Sequence, residues 1–123
     1  MIIGVGVDTV KVERIRKSCQ REYFVNRIYT AEEQKQFDKV WMRASSDYAA
    51  KEAVAKMLGT GFTDFEPGDI EILRNEAGAP YVNLYKGAQK KAEEIGITKI
   101  FISITNTDEE ATAFVIGSDD VDQ

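Results

Sequence analysis

Asp8, Glu52 and Lys56 are the side chains whose types and spacing could do chemistry together. Asp8 follows the short apolar run of residues 2–7, and Glu52 and Lys56 stand four residues apart in an alanine-rich segment. Residues with that spacing share one face of a helix. Carboxylates that have no histidine or cysteine beside them suit a hard cation such as Mg²⁺, and carboxylates and lysines can also move protons.

Each of these residues also has an ordinary structural interpretation. Asp8 could be the N-cap of the helix that follows it, a position that aspartate favours. Glu52 and Lys56 could form a surface ion pair worth about 0.3–0.5 kcal/mol. Against this, Glu52 belongs to a helix that is expected to be mostly buried, so its side chain is expected to face other protein groups. The residues alone leave both interpretations open.

The lack of histidine removes several classes of active site. The chain of 123 residues contains no histidine and one cysteine, Cys19. A Ser-His-Asp triad, a histidine-based zinc site and phosphotransfer through histidine are therefore excluded. One cysteine cannot form an internal disulfide, and the N-terminal segment lacks the features of a signal peptide. Both observations predict a cytoplasmic protein, in which Cys19 is a core residue.

Composition and charge predict one folded domain with an uneven surface. Hydrophobic residues make up 43% of the chain and charged residues 30%, and the net charge is −5. The acidic total argues against nucleic-acid binding, and no apolar run is long enough to span a membrane. Residues 11–27 nevertheless hold six basic and two acidic side chains, whereas residues 107–123 hold six acidic and no basic ones. The basic segment is either a solvated helix face or a docking surface for an acidic partner.

The order of apolar patterns and turn residues predicts an α+β fold. Helices are expected over residues 10–19, 31–40, 45–58 and 85–95, and strands over 2–8, 69–73, 80–84, 99–105 and 111–117. We expect the first strand to be buried. Thr30 and Glu33 have the spacing of a capping box, Ser45 or Ser46 could cap the alanine-rich helix, and Gly59 should end it. The prediction is a compact single domain, residues 1–117, in which a mainly antiparallel sheet packs on the long alanine-rich helix, followed by an acidic tail, residues 118–123.

Taken together, these segments resemble the holo-acyl-carrier-protein synthase group of the 4′-phosphopantetheinyl transferases. The single motifs are short, but they occur in the family's order over nearly the whole chain. They are Val5-Gly6-Val7-Asp8, the run from Tyr48-Ala49-Ala50-Lys51-Glu52 to Lys56, Gly59-Thr60-Gly61, Gly78-Ala79-Pro80, and Ser103-Ile104-Thr105-Asn106.

The resemblance implies a transfer reaction with coenzyme A as co-substrate and Mg²⁺ as cofactor. The serine hydroxyl of an apo acyl carrier protein attacks the β-phosphorus of coenzyme A, phosphopantetheine moves to the serine, and 3′,5′-ADP leaves. Fatty-acid synthesis is the default pathway for such a carrier, and a carrier from polyketide or other secondary metabolism is the open alternative.

The resemblance also implies roles for individual residues. Asp8 and Glu52 would hold Mg²⁺, and Asp8, Glu52 and Lys56 would be the catalytic residues. Glu52 is the candidate base for the serine, directly or through a metal-bound water. The implied coenzyme A-binding residues are Lys56, Gly59, Thr60, Gly61, Pro80, Ser103 and Asn106.

The basic segment gains a role from the same resemblance. Acyl carrier proteins are acidic, so Arg14, Lys17 and Arg21 are expected to dock one. The resemblance also implies a homotrimer, with each active site at a subunit boundary, as in small members of this family.

Three positions depart from the family pattern. Asn106 stands where the family usually has histidine, Asp47 where it has arginine, and Ala79 where it has lysine. We expect Asp47 to face the phosphates of coenzyme A and repel them. These departures leave open an alternative, a divergent paralogue that binds coenzyme A or a carrier without transfer. A further alternative is a purely structural trimer or adaptor, but that function would not explain why Asp8 and Glu52 are both present.

Overall fold

A computed structural model of the chain describes residues 1–38 and 40–119. Five strands and five α-helices follow one another within these residues and confirm the α+β class. In chain order they are β1 (Ile2–Lys11), α1 (Val12–Ser18), α2 (Glu22–Ile28), α3 (Ala31–Phe37), α4 (Trp41–Leu58), β2 (Ile70–Arg74), β3 (Pro80–Leu84), α5 (Lys86–Ile95), β4 (Lys99–Asn106) and β5 (Glu110–Ser118). Short 3₁₀ turns at Gly61–Thr63 and Pro67–Asp69 connect α4 to β2.

The strands pair antiparallel, as the sequence predicts, but they form two sheets and not the single sheet expected. The larger sheet has the order β1-β5-β4, and β2 pairs with β3 in a hairpin. Helix α4 packs on the larger sheet, against β1 and β5. The approach is so close that a Cβ atom at Gly6 would lie 1.9 Å from the carbonyl oxygen of Ala53. Small residues on both elements therefore let the backbone of β1 touch the helix.

The ends of several elements differ from the sequence-based expectation. Strand β1 continues to Lys11, so Asp8 lies within the strand and the N-cap interpretation of Asp8 is wrong. Helix α4 begins at Trp41 after Val40, so neither Ser45 nor Ser46 is its cap. The Ser45 hydroxyl instead donates to the carbonyl of Trp41 at 2.6 Å. Helix α3 ends at Phe37, before the predicted Val40, because Asp38 is left-handed with φ 39°.

Other predicted boundaries are confirmed. The hydroxyl of Thr30 accepts from the backbone N–H of Glu33, whose carboxylate accepts from the N–H of Thr30, so the capping box is complete. Gly59 ends α4 with φ 89°, a conformation that glycine adopts at little cost. Among the described residues, no helix has the length and apolar character to cross a bilayer.

The outer face of the larger sheet is apolar and exposed, which contradicts the expectation that the first strand is buried. Only the inward-facing residues of β1, such as Gly6 and Val10, are buried. Large apolar side chains on the opposite face remain open, and they are Val5 (54% exposed), Val7 (52%), Phe101 (56%) and Phe114 (42%). The residues of β1 are apolar on both faces although only one face is covered. An apolar run of this kind is typical of a strand that is buried on both faces.

Met1 and Asp119 meet at one end of this sheet. The N-terminal ammonium donates to the carboxylate of Asp119 at 2.7 Å, and the Asp119 N–H donates to the carbonyl of Met1. Ser118, the first residue of the predicted tail, belongs to β5. The rest of that tail, residues 120–123, lies outside the described residues.

A buried ion pair joins α4 to α3 and to the start of β2. The Lys51 ammonium lies 2.8 Å from the Glu33 carboxylate and donates to the carbonyls of Pro67 and Ile70. Glu33 also accepts from the backbone N–H of Ile72 at 2.8 Å. Burial raises the pKa of Glu33 and lowers that of Lys51, and their mutual attraction opposes both shifts. Lys51 is thus a structural residue, although it precedes Glu52 directly.

Replacing Lys51 with methionine should destabilise the protein strongly. The Glu33 carboxylate would remain buried without its cation, and removal of one partner of a buried pair costs about 3–5 kcal/mol. Urea unfolding monitored by circular dichroism measures this free energy. The control is Lys90→Met, which removes an exposed lysine from α5 and should change stability by less than about 0.5 kcal/mol. Equal stabilities of the two variants would contradict the structural role of Lys51.

Candidate active site

The close packing of β1 on α4 brings Asp8 and Lys56 together. The Lys56 ammonium donates to Asp8 Oδ1 at 3.0 Å and to the carbonyl of Val7 at 3.1 Å. The Asp8 side chain is 18% exposed and that of Lys56 is 56% exposed. The lysine therefore keeps access to a ligand in solution while it is held beside the carboxylate. The ion pair that the sequence suggested between Lys56 and Glu52 is replaced by one between Lys56 and Asp8.

Glu52 completes a group of three charged side chains with Asp8 and Lys56. Burial raises the pKa of Glu52, and the negative charge of Asp8 raises it further. Interactions with Tyr48, Lys56 and Arg14 lower the pKa and partly offset this rise. The two carboxylates are thus close enough to repel each other, as expected for a pair that shares a bound cation.

The Asp8–Glu52 pair fits the predicted metal ligands in type but does not form a closed site. Within residues 1–38 and 40–119, no group of three or more acidic or cysteine side chains could hold a metal. Mg²⁺ prefers six oxygen ligands and keeps several waters. Two protein carboxylates with open positions are therefore suited to a cation that also binds phosphate oxygens of a substrate.

A cavity of about 270 Å³ opens beside Glu52. Its lining includes Glu52, Tyr48, Phe62 and Arg27. The guanidinium of Arg14 on α1 lies 5.6 Å from the centre of the Tyr48 ring. Tyr48 and Arg27 were not among the predicted site residues, although Tyr48 precedes Glu52 by four positions and shares its helix face.

The predicted coenzyme A-binding residues do not form one site within a single chain. Lys56 and the glycine turn Gly59-Thr60-Gly61 lie at the C-terminal end of α4. Asn106 lies near its N-terminal part, where the Asn106 side-chain amide donates to the Ser46 hydroxyl at 3.1 Å. Ser46 and Lys56 are about 15 Å apart along the helix axis. Ser103 is exposed on the outer sheet face, opposite Phe114.

A second cavity, of about 280 Å³, surrounds Asn106. Pro80 and Ser46 contribute to its lining, together with two arginines, Arg43 and Arg74. Arg43 makes this cavity suitable for an anion, whereas Arg74 is paired with the Asp47 carboxylate. The sequence did not reveal them, because they come from α4 and from the hairpin strand β2.

Asp47 does not face this cavity as a free charge, so the expectation that it would repel coenzyme A is wrong. Its side chain is fully buried, and Arg74 donates a hydrogen bond to its Oδ1. Burial raises the pKa of Asp47 to about 7, and Arg74 opposes that rise. Asp47 Oδ2 has no hydrogen-bond partner among the described residues. Asp47 therefore acts on the fold and on Arg74.

The residues predicted to dock a carrier are all exposed. Arg14 and Lys17 lie on α1, and Arg21 immediately precedes α2. The helix is shorter than predicted, since it ends at Ser18. Arg16, in the same segment, is neutralised by Glu13, whose carboxylate it contacts at 2.5 Å. The basic surface formed by Arg14, Lys17 and Arg21 adjoins the cavity beside Glu52 through the contact of Arg14 with Tyr48.

Comparisons with known proteins identify the family to which the chain is similar. A sequence model of the 4′-phosphopantetheinyl transferase superfamily matches residues 4–115. A holo-[acyl-carrier-protein] synthase of Lachnoclostridium phytofermentans is 47% identical over 117 residues, which are 95% of this chain and 96% of that protein.

Solved structures of similar proteins give the same assignment. The acyl carrier protein synthase of Plasmodium yoelii with ADP bound superimposes with a TM-score of 0.86 at 33% identity and covers 95% of both chains. The holo-[acyl-carrier-protein] synthase of Helicobacter pylori in complex with coenzyme A has a TM-score of 0.81 at 26% identity, with 93% of this chain and 99% of that chain covered. The sequence match and the shared fold together show that the chain belongs to the 4′-phosphopantetheinyl transferase superfamily.

Proposed function

We propose that this protein transfers 4′-phosphopantetheine from coenzyme A to a serine of an apo acyl carrier protein. The observation that carries the proposal is the group of Asp8, Glu52 and Lys56, which the fold assembles from β1 and α4. Curated relatives that cover nearly the whole chain are named holo-[acyl-carrier-protein] synthases, and one solved relative binds coenzyme A. The cytoplasmic location expected from the sequence stays a prediction.

Glu52 is the base of the proposed reaction. Its carboxylate lines a cavity, where it could accept the proton of a serine hydroxyl directly or through a water. The serine oxygen forms a bond to the β-phosphorus while its proton passes to Glu52. The bond from that phosphorus to the bridging oxygen breaks, and 3′,5′-ADP leaves with the bonding electrons. Lys56, held by Asp8, supplies positive charge to the phosphate oxygens.

Asp8 and Glu52 are the proposed ligands of Mg²⁺. Two oxygen donors that repel each other, with Lys56 to one side, form a negative site for a hard cation. When bound there, Mg²⁺ supplies positive charge to the diphosphate oxygens as the phosphorus–oxygen bond breaks. Diphosphate oxygens and water would complete its coordination, since the described residues offer only the pair.

The outer sheet face is the proposed contact between three copies of the chain. Val5, Val7, Phe101 and Phe114 form an exposed apolar surface that an isolated chain leaves in water. Association through this face would also resolve the separation of the coenzyme A-binding residues. Lys56 and the glycine turn of one copy could then act with Ser103 of a neighbouring copy, whereas the Asn106 amide faces α4 of its own chain.

Transfer should depend on Glu52 and on the metal. With coenzyme A and Mg²⁺, the wild-type protein should add one phosphopantetheine to an apo acyl carrier protein, as measured by intact mass spectrometry, and a chelator should prevent this. Glu52→Gln should lower the rate by about 10²–10⁴-fold with the fold retained, because the base is lost. Glu94→Gln, an exposed position on α5, is the matched control and should transfer normally.

Two outcomes would contradict parts of this assignment. Undiminished transfer by Glu52→Gln would exclude Glu52 as the base. If the wild-type protein binds a carrier but does not modify it, while a related synthase does, the protein is the non-catalytic paralogue that the sequence left open.

Charge reversal at Arg14 should weaken carrier binding selectively. Arg14→Glu should raise the dissociation constant of the carrier complex by roughly tenfold at low salt and reduce its salt dependence, since attraction becomes repulsion. Coenzyme A binding should not change. Calorimetry measures both affinities, and Lys90→Glu on α5 is the control with the same change of charge. If Arg14→Glu weakens the binding of the carrier and of coenzyme A equally, then Arg14 contributes to nucleotide binding or to the fold.

A charge on the outer sheet face should separate the three copies. Phe114→Lys should reduce the mass measured by light scattering from three chains to one, because a buried lysine would face apolar side chains. Coenzyme A binding should be lost with it. Tyr23→Lys, which alters a 78% exposed aromatic residue on α2, should leave the mass unchanged. A wild-type protein that is monomeric at assay concentrations would overturn the proposed assembly.

A further inference from the structure

We propose that Tyr48 is a positioning residue of the transfer reaction, whose ring holds Arg14 of the docking surface and whose hydroxyl orients Glu52. The inference rests on the proposed function, because it assigns roles within that reaction. It adds a residue that connects the surface for the carrier to the base, through one side chain on α4.

The ring of Tyr48 lies where three helices meet. Arg14 of α1 places its guanidinium 5.6 Å from the ring centre. Phe24 of α2 stacks on the same ring, with centroids 6.2 Å apart and an angle of 23° between the planes. Phe24 is in turn held by an edge contact with Tyr29, at 6.4 Å. The Tyr48 ring is therefore fixed in place and offers Arg14 an aromatic surface.

A long arginine on a short helix would otherwise be free to move. Arg14 is exposed, and α1 has only seven residues. Ordering such a side chain on a partner costs conformational entropy, and a guanidinium already placed on a ring loses less. The Tyr48 ring thus prepares Arg14 for an acidic carrier before the carrier arrives.

The hydroxyl of Tyr48 is the part of the side chain that orients Glu52. Tyr48 precedes Glu52 by one helical turn and both side chains line the same cavity, so the hydroxyl and the carboxylate lie on the same side of α4. A phenol that donates to a carboxylate oxygen limits the rotation of that carboxylate. Glu52 is then kept in the orientation from which it can accept the serine proton.

Two substitutions separate the ring from the hydroxyl. Tyr48→Phe keeps the ring and removes only the hydroxyl, so kcat should fall by about tenfold, the loss of one hydrogen bond to a charged group. The KM for the carrier, and its affinity measured by calorimetry without coenzyme A or metal, should not change. Tyr81→Phe, at an exposed tyrosine on β3, is the matched control and should behave as the wild type.

Tyr48→Leu removes both parts. Besides the loss in kcat, the dissociation constant of the carrier should rise by roughly two- to fivefold, the contribution of a cation–π contact near the surface. Arg14→Gln should weaken carrier binding in the wild type and in Tyr48→Phe, but much less in Tyr48→Leu, where Arg14 has already lost its support. If Tyr48→Leu is not folded by circular dichroism, Tyr48→Met takes its place as a non-aromatic variant of larger volume.

The outcomes distinguish this inference from the proposed function. No transfer by the wild type overturns the proposed function and the inference with it. If the wild type is active and Tyr48→Phe equals it in kcat, the role of the hydroxyl is wrong and the proposed function stands. Unchanged carrier affinity in folded Tyr48→Leu overturns the role of the ring. A purely structural role would lower stability in both variants without this separation of kcat from carrier affinity.

Discussion

The candidate active site depends on the contact between the backbone of β1 and that of α4. At Gly6 there is no room for a side chain, because a Cβ would lie 1.9 Å from the Ala53 carbonyl oxygen. This approach places the carboxylate of Asp8 at 3.0 Å from Lys56, although the two residues are far apart in the chain. A larger residue at position 6 would push the helix away from the strand and would separate Asp8 from both Lys56 and Glu52. Packing and chemistry therefore share one constraint.

The charged residues of α4 lie in two rows along the helix, and the rows are offset by one residue in the sequence. Asp47 and Lys51 form a row that is buried and paired with Arg74 and Glu33, where the charges hold α4 to the rest of the domain. Tyr48, Glu52 and Lys56 form the next row, rotated by about 100°. They are left partly open and carry the proposed chemistry. The alternation of structural and functional residues in this segment follows from the geometry of one helix.

Much of the fold and part of the site could be predicted from the sequence. Helix and strand types follow from apolar periodicity, and the capping box at Thr30 and the end of α4 at Gly59 follow from local backbone chemistry, which needs no tertiary information. The position of Asp8 within β1 could not be predicted, because the strand is extended by pairing with β5. The neutralisation of Asp47 depends on Arg74, which the hairpin supplies, and no local pattern links the two residues.

The exposed outer sheet face and the divided coenzyme A-binding residues have one physical origin. A chain of 123 residues covers one face of the larger sheet with α4, and none of its described elements covers the other. Val7 of β1 and Phe114 of β5 are paired with each other and face water. Ser103 of β4 is the neighbour of Phe114 on its other side. In the proposed assembly, the layer that buries these side chains would come from another chain. Ser103 lies on the face that would be covered. In the proposed assembly, the contact that removes the apolar surface from water would therefore also bring a second set of polar groups towards a neighbour's Lys56. The contact that stabilises the assembly would then also complete the site. A small domain could in this way bind a ligand that is too long for one chain to enclose.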